Sequence, residues 1–209
     1  TSTGSGDFKL YTGPFTLSES SRIRCYCENE SWLRSHITES VVRKISSTYN
    51  VTIKEKYSRQ YSAGGDLGLV DGIRGSVNFR LGGWQGYQRK DFEAIIDLKE
   101  PRNVTQLAAG FLQDIKSWIW MPRYVEFYTS MDGVTYRFAG RVGHNVADDD
   151  YTPQIHDLKI TLLDDYGDKS EGVEARYIKV FAKNYGKIPK WHLGAGGNAY
   201  IFTDEVIIK

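Results

Sequence analysis

The sequence has little cysteine, little methionine and no excess of charge of one sign. Its 209 residues include two cysteines, two methionines and five prolines, and 27 Lys and Arg against 26 Asp and Glu leave a net charge of +1. Two cysteines are too few for a disulfide scaffold. Near-neutral charge disfavours a nucleic-acid-binding protein, which normally carries a basic excess. No apolar run approaches the ~18 residues that a membrane-spanning helix needs, so we expect neither nucleic-acid binding nor membrane insertion.

The two cysteines lie in a stretch whose polarity alternates with a period of two. Cys25 and Cys27 would share one strand face with Ile23. This spacing is near the outer limit for a disulfide, and no further ligands follow at a spacing that suits zinc. We therefore predict two small buried side chains.

β-Branched and aromatic residues recur in short runs separated by turn-forming residues, and long helical periodicity is absent. Asp132 and Gly133 between two such runs predict a hairpin. Many short strands with regular turns indicate an all-β fold, an antiparallel sandwich or barrel. The predicted strands cover residues 38–45, 92–98, 123–130, 135–142, 155–163, 175–182 and 200–208.

A glycine-rich polar stretch at residues 58–65 predicts a domain boundary near residue 57. The remaining residues, 58–209, have the length of one β-sandwich domain. Residues 1–57 carry up to three strands and are too short to bury a core alone. We expect this first segment to pack on the larger domain or to belong with strands upstream of the chain.

Four stretches, in this order, resemble one family of β-sandwiches. They read Leu-Val-Asp-Gly-Ile-Arg-Gly-Ser at 69–76, Trp-Gln-Gly-Tyr at 84–87, Phe-Tyr-Thr-Ser-Met-Asp-Gly at 127–133 and Ala-Tyr-Ile-Phe-Thr-Asp-Glu-Val-Ile-Ile at 199–208. Together they resemble the discoidin-like, coagulation-factor C-type domains, whose bacterial sugar-binding members are the family-32 carbohydrate-binding modules. The resemblance covers residues 58–209 and implies an antiparallel jelly-roll β-sandwich of the galactose-binding type.

The first segment carries a second resemblance. Residues 10–17 and 22–27 resemble the later strands of the immunoglobulin-like domain at the C-terminal end of chitobiases and β-hexosaminidases. The combination implies the C-terminal region of a Bacteroidetes-like family-20 β-N-acetylhexosaminidase that is secreted, periplasmic or on the cell surface. Similar appendages on α-L-fucosidases leave the parent enzyme open. The chain begins at Thr1 without an apolar secretory stretch, so we expect a processed or trimmed piece of a longer protein.

We do not expect this chain itself to be catalytic. Asp204 and Glu205 match the acidic pair of family-20 active sites, but they lie inside the last predicted strand, where neighbouring side chains point to opposite faces. The large barrel that carries this pair in the family does not fit the length. The four histidines lack metal-like spacing, and no nucleophile elbow is present.

Members of the discoidin-like family often hold one structural calcium ion. The resemblance assigns its side-chain ligands to Asp71, Ser76 and Glu205, with backbone oxygens of Leu69, Ile73 and Ser76 nearby. Oxygen ligands around an Asp-Gly turn suit a hard cation. Ile73 stands where the family often has Asp or Asn, so only its backbone oxygen would serve. The alternative is an ordinary turn in which Asp71 accepts from a nearby amide.

Sugar recognition needs exposed aromatic rings that stack on a pyranose and polar groups that read its hydroxyls. Trp191 and His192, flanked by lysines in a long loop, are the best exposed pair. Trp84 stands where the family buries its tryptophan, and we expect one of Trp118 and Trp120 in the core. The predicted carbohydrate-binding residues are Trp191, His192, Trp118, Trp120 and Tyr87.

Three functions remain open at this point. The first is a non-catalytic module that targets a catalytic domain of the same polypeptide to glycans with terminal galactose- or N-acetylhexosamine-type sugars. The second is a structural spacer that packs on the parent enzyme and binds no ligand. The third, a protein-adhesion or lipid-binding domain, is disfavoured because the loop tips mix Gly, Asp and Lys.

Overall fold

The structure, a computed structural model, describes residues 8–19, 21–42, 49–162 and 172–209. All strand pairs within its sheets are antiparallel, which confirms the predicted all-β class. No helix in these ranges is long and apolar enough to span a membrane. The strands are β1 (Ser21–Cys25), β2 (Thr38–Val42), β3 (Asn50–Ile53), β4 (Gln85–Gln88), β5 (Phe92–Val104), β6 (Gln106–Gln113), β7 (Val125–Ser130), β8 (Arg137–Val142), β9 (Gln154–Thr161), β10 (Val173–Ala182) and β11 (Tyr200–Ile208).

The chain divides into two compact units, Thr1–Ser46 and Ser47–Lys209. In the first unit, β1 and β2 pair as a two-stranded sheet. β3 pairs with β5 in the second unit, although the sequence placed it in the first segment. The two compact units thus divide earlier in the chain than the boundary predicted near residue 57. Two paired strands do not establish the immunoglobulin-like identity predicted for the first segment.

Cys25 and Cys27 are free and exposed, so the prediction that both are buried is wrong. Cys25 ends β1 opposite Thr38. Cys27 lies beyond the strand, where its backbone N–H donates to the Ser35 hydroxyl at 2.9 Å. A two-stranded sheet alone buries little side-chain surface, and the alternation ends with the strand.

The second unit contains two larger sheets, β3-β5-β10-β7-β8 and β4-β11-β6-β9. A single core cluster holds buried side chains from both, such as Phe92 and Ile96 of β5 and Leu107 and Phe111 of β6. Buried and partly exposed residues alternate along the first seven residues of β5, as expected for a strand with one face on a core. The two sheets therefore face each other as a β-sandwich.

A smaller aromatic cluster joins β6 and β11 to the segment that precedes β4. Trp84 is buried there beside Phe79 and Phe202, as predicted. Its Nε1 donates to the Ser76 carbonyl at 2.9 Å. The absence of a side chain at Gly75 makes room for the indole, because a Cβ there would lie 2.1 Å from the ring.

Candidate functional site

Three loops of the second unit bring aromatic side chains together. They are residues 114–124 between β6 and β7, 143–153 between β8 and β9, and 183–199 between β10 and β11. Trp120 of the first loop donates its Nε1 hydrogen to the Asp148 carbonyl of the second at 3.0 Å. The same indole stacks on Tyr185 of the third loop, with ring centroids 5.4 Å apart. We call these three loops the loop cluster.

The inner layer of the loop cluster is a buried framework. Trp120 is almost fully buried, so its predicted role as a sugar-stacking ring is corrected. The Tyr185 hydroxyl donates to the Asp148 carboxylate at 2.8 Å. Burial, together with this hydrogen bond, raises the pKa of Tyr185 to about 12. Arg123 donates to the Tyr185 carbonyl at 2.9 Å and places its guanidinium over the tyrosine ring, which also stabilises the layer.

His192 connects this framework to the surface. It is buried, and its Nδ1 accepts the Gly194 N–H at 3.0 Å. A neutral imidazole whose Nδ1 accepts carries its proton on Nε2. That Nε2 has no hydrogen-bond partner in the described part of the chain. The imidazole meets Trp120 edge-on at 5.1 Å and stacks on Tyr151 at 6.0 Å.

An exposed rim surrounds His192. Trp191 is 51% exposed and meets the imidazole edge-on at 5.8 Å, while Tyr151 is 41% exposed. Trp118 is 39% exposed, and Leu193 is fully exposed at the tip of the loop. The rim therefore offers aromatic surface beside the imidazole N–H of a largely buried histidine, the combination that sugar recognition requires.

Trp118 reaches the rim because of its backbone conformation and a glycine-rich neighbour. Its φ of 66° follows the single 3-10 turn Ile115–Ser117 and is unusual for a bulky residue. Its ring lies on Gly194 and Gly197, and a Cβ at Gly194 would be 2.7 Å from the indole. Gly194 and Gly197 thus permit the close approach of two loops.

Tyr87 does not belong to this surface. It lies in β4, is fully buried and donates its hydroxyl hydrogen to Gln85 Oε1 at 2.7 Å. Its ring packs against Phe92, and burial raises the pKa of the phenol above its usual range. The prediction that Tyr87 contacts sugar is therefore wrong, because the core covers its ring.

The predicted calcium ligands come together only in part. Glu205 of β11 is nearly buried, and its Oε2 accepts the Gly72 N–H at 3.0 Å. Burial, and next the charge of Asp71, raise the pKa of Glu205 to about 8. Asp71 Oδ1 accepts the Ile73 N–H at 2.7 Å, which is the turn geometry of the alternative reading. Two such carboxylates suit a hard cation.

The other predicted ligands contribute less. The Ser76 hydroxyl donates to the Asn78 carbonyl at 3.1 Å, and the Ser76 carbonyl accepts from Trp84. Leu69 is fully buried, and its side chain has no ligand atom, so only its backbone oxygen could contribute. Within the described ranges, no three His, Cys, Asp or Glu side chains gather as a metal site. A cation at Asp71 and Glu205 would therefore depend on backbone oxygens.

An ion-pair network beside this turn was not predicted from the sequence. Arg74 donates from Nε to Asp204 at 2.8 Å and from Nη2 to Asp157. Gly75 N–H also donates to Asp204, which is fully buried. Burial raises the pKa of Asp204, and Arg74 opposes that rise. Gly110 provides the space, because a Cβ there would lie 2.1 Å from Asp204 Oδ1.

No protein-family model and no curated protein sequence matches the chain. Its similarities are to solved structures. A fucolectin from the serum of striped bass, Morone saxatilis, shares 20% identity at a TM-score of 0.48, covering 77% of this chain and 46% of that chain. CpGH89CBM32-5 from Clostridium perfringens, solved with GalNAc-β-1,3-galactose, shares 13% identity at a TM-score of 0.44, covering 77% and 94%.

A third similar structure is the C-terminal domain of a chitobiase from Bacteroides fragilis. It shares 18% identity at a TM-score of 0.39, covering 79% of this chain and 95% of that chain. The structural neighbours are thus carbohydrate-binding modules, lectin domains and an enzyme appendage.

Proposed function

We propose that the chain is a non-catalytic carbohydrate-binding module that directs an attached glycoside hydrolase to glycans. The observation that carries the proposal is the exposed Trp191 ring, held edge-on by the buried His192, whose Nε2 hydrogen has no partner among the described residues. A pyranose that stacks its C–H face on Trp191 would gain apolar contact. A hydroxyl of the same sugar would accept from the imidazole.

The finer assignment is also a proposal. We infer that the sugars are terminal galactose- or N-acetylhexosamine-type units. We further infer that the parent is a secreted bacterial β-N-acetylhexosaminidase or, as the alternative, an α-L-fucosidase. The four sequence motifs and the second resemblance, at residues 10–17 and 22–27, motivate this choice. The chain alone would hydrolyse no aryl N-acetylglucosaminide, because Asp204 is enclosed with Arg74 and glycosidases need two carboxyls beside one bond.

The test of the module is binding by a matched pair of tryptophan variants. The wild-type chain is screened on a glycan array, and the best galactose or N-acetylhexosamine ligand is titrated by calorimetry. Trp191→Ala should weaken binding about tenfold or more, the equivalent of about 1.4 kcal/mol. Trp32→Ala, which removes an exposed ring from the first unit, should bind like the wild type.

The outcomes separate the readings. Both variants should keep the wild-type free energy of unfolding within about 0.5 kcal/mol, because the two rings are surface-exposed. If no sugar binds and Trp191→Ala unfolds readily, the ring belongs to the core and the structural-spacer reading wins. Turnover of an aryl glycoside by the purified chain would contradict the non-catalytic assignment.

We also propose a structural calcium ion between Asp71 and Glu205. The two carboxylates lie close enough for the charge of Asp71 to raise the pKa of Glu205, and a divalent cation would offset that repulsion. Chelation should lower the melting temperature, since calcium at a hundred times its Kd stabilises by about 2.7 kcal/mol. A Glu205→Gln variant should not respond to chelation. A wild-type melting temperature that is the same with and without chelator would contradict the proposed calcium site.

A further inference from the structure

The second unit also contains a cavity that shares no residue with the loop cluster. Residues 60–64 and 79–84 enclose a cavity of about 210 Å³. Both segments lie before β4, and Gly86 N–H fastens the first by donating to the Tyr61 carbonyl at 3.0 Å. We call this cavity the arginine pocket.

Aromatic rings form a pre-set wall of the arginine pocket. Tyr61 packs on Phe79 with ring centroids 5.8 Å apart and on Phe202 at 4.6 Å. Trp84 completes the wall and is held by the core. Since these rings already pack against one another, a ligand would not have to order them, and pre-formed apolar walls are typical of small-molecule sites.

The rim of the arginine pocket is left-handed backbone. Gly64, Gly82 and Gly83 have φ of 78°, 92° and 79°, and Ala63 before them has φ of 44°. A Cβ at Gly64 or Gly82 would meet no atom within 4 Å, so these glycines serve the backbone conformation and leave the mouth open. The N–H groups of Gly64 and Gly83 have no hydrogen-bond partner in the described ranges. Such backbone donors suit an anion.

Arg80 is the one charged side chain that lines the cavity. Its guanidinium lies over the Phe79 ring, 4.6 Å from the centroid. Unlike Arg74, which binds two carboxylates, Arg80 has no acidic partner among the residues that the structure describes. A guanidinium without a partner beside free N–H donors favours a carboxylate, which it can bind through two parallel hydrogen bonds.

We propose that the arginine pocket binds an acidic sugar unit, a pyranose that carries a carboxylate. The ring would lie against the partly exposed Tyr61, and the carboxylate would bind Arg80 and the glycine N–H groups of the rim. This site differs in place and ligand from the surface around Trp191, so either can fail without the other.

The test follows backbone amide shifts of the ¹⁵N-labelled full chain by NMR. Methyl β-D-glucuronide and methyl α-D-galacturonide are compared with the neutral methyl glucoside and galactoside and with acetate. Saturable shifts at Gly64, Gly82 and Gly83 are expected with at least one of the two uronides. Neither the neutral glycosides nor acetate should produce them. Arg80→Gln should weaken that binding about tenfold, the loss of a charged hydrogen-bonded pair.

Arg59→Gln is the matched control. It removes the same charge from an exposed residue that does not line the cavity, and it should leave uronide binding unchanged. The proposal would be overturned if no uronide binds, or if the neutral glycoside or acetate binds as well as the uronide. It would also be overturned if Arg80→Gln binds the uronide as tightly as the wild type. Trp191→Ala should retain the uronide shifts, which separates this site from the rim of the loop cluster.

Discussion

The turn between β7 and β8 and the loop between β10 and β11 are both irregular chain, yet they use their polar groups differently. In the turn, Asp132 Oδ1 accepts from the N–H groups of Val134 and Thr135 at 2.9 and 2.8 Å and from the Ser130 hydroxyl at 2.9 Å. In the loop, half of the Trp191 side chain is exposed. A turn whose acceptors are filled from within serves the fold, whereas a loop with exposed surface can serve a ligand.

The same division runs through the loop cluster itself. Trp120 and Tyr185 stack on each other, and both bind Asp148. Trp191 meets His192 edge-to-face, and about half of its side chain is exposed to solvent. Trp120 thus supports the fold, whereas Trp191 is available to a ligand. Substitution of Trp120 should mainly lower stability, and substitution of Trp191 should mainly weaken binding.

The largest effect is expected at Trp120. Trp120→Ala should lower the free energy of unfolding by about 3–5 kcal/mol, since it removes a buried ring and leaves a cavity. Urea unfolding followed by circular dichroism measures the change. Trp191→Ala is the control within the same loop cluster and should change stability by about 0.5 kcal/mol or less. Equal losses in the two variants would remove the distinction between an inner layer and a rim.

Much of the fold follows from sequence pattern, and the exceptions have tertiary causes. The hairpin at Asp132 and Gly133 is confirmed, and the strands predicted in the described residues are observed as β2, β5, β7, β8, β9, β10 and β11. β4, which has only four residues, and β6 were not predicted, and β6 was missed because Ala108, Ala109 and Gly110 have low strand propensity. Gly110 makes room for the buried Asp204, and no local pattern reveals that packing. The predicted ends of two strands, 43–45 and 163, lie outside the described residues.

The site was harder to predict than the fold. Tyr87, Trp120 and Trp191 are all aromatic residues near loops, and composition does not tell which ring the core covers. The structure buries the first two and exposes the third. Exposure here depends on contacts between loops distant in sequence, such as the Trp120 bond to Asp148. The glycines at 82 and 83 were the available signal for the arginine pocket, because left-handed backbone favours glycine.

An intermediate effect is expected where two loops touch. Gly194→Ala would place a Cβ 2.7 Å from the Trp118 indole and should push that ring outward. Because Trp118 is partly exposed and can move, the cost should be about 1 kcal/mol, the lower end for overpacking. Tryptophan fluorescence should also shift towards that of a solvated indole. Gly143→Ala, whose Cβ would meet nothing within 4 Å, should leave both readouts unchanged, and identical behaviour of the two variants would contradict the contact.

The smallest effect on stability is expected at Asp132, in the turn between β7 and β8. Hydrogen bonds from the N–H groups of Val134 and Thr135, and next from the Ser130 hydroxyl, lower the pKa of Asp132 to about 2. A carboxyl whose pKa is lower in the folded state stabilises above its unfolded pKa, and the contribution is lost as the pH falls through the folded value. The difference in melting temperature between wild type and Asp132→Asn should therefore be constant above about pH 5 and shrink as the pH falls towards 2. Carboxyl ¹³C titration measures the midpoint directly, and a midpoint near the ordinary aspartate value would show that the turn does not hold Asp132 as tightly as its hydrogen bonds indicate.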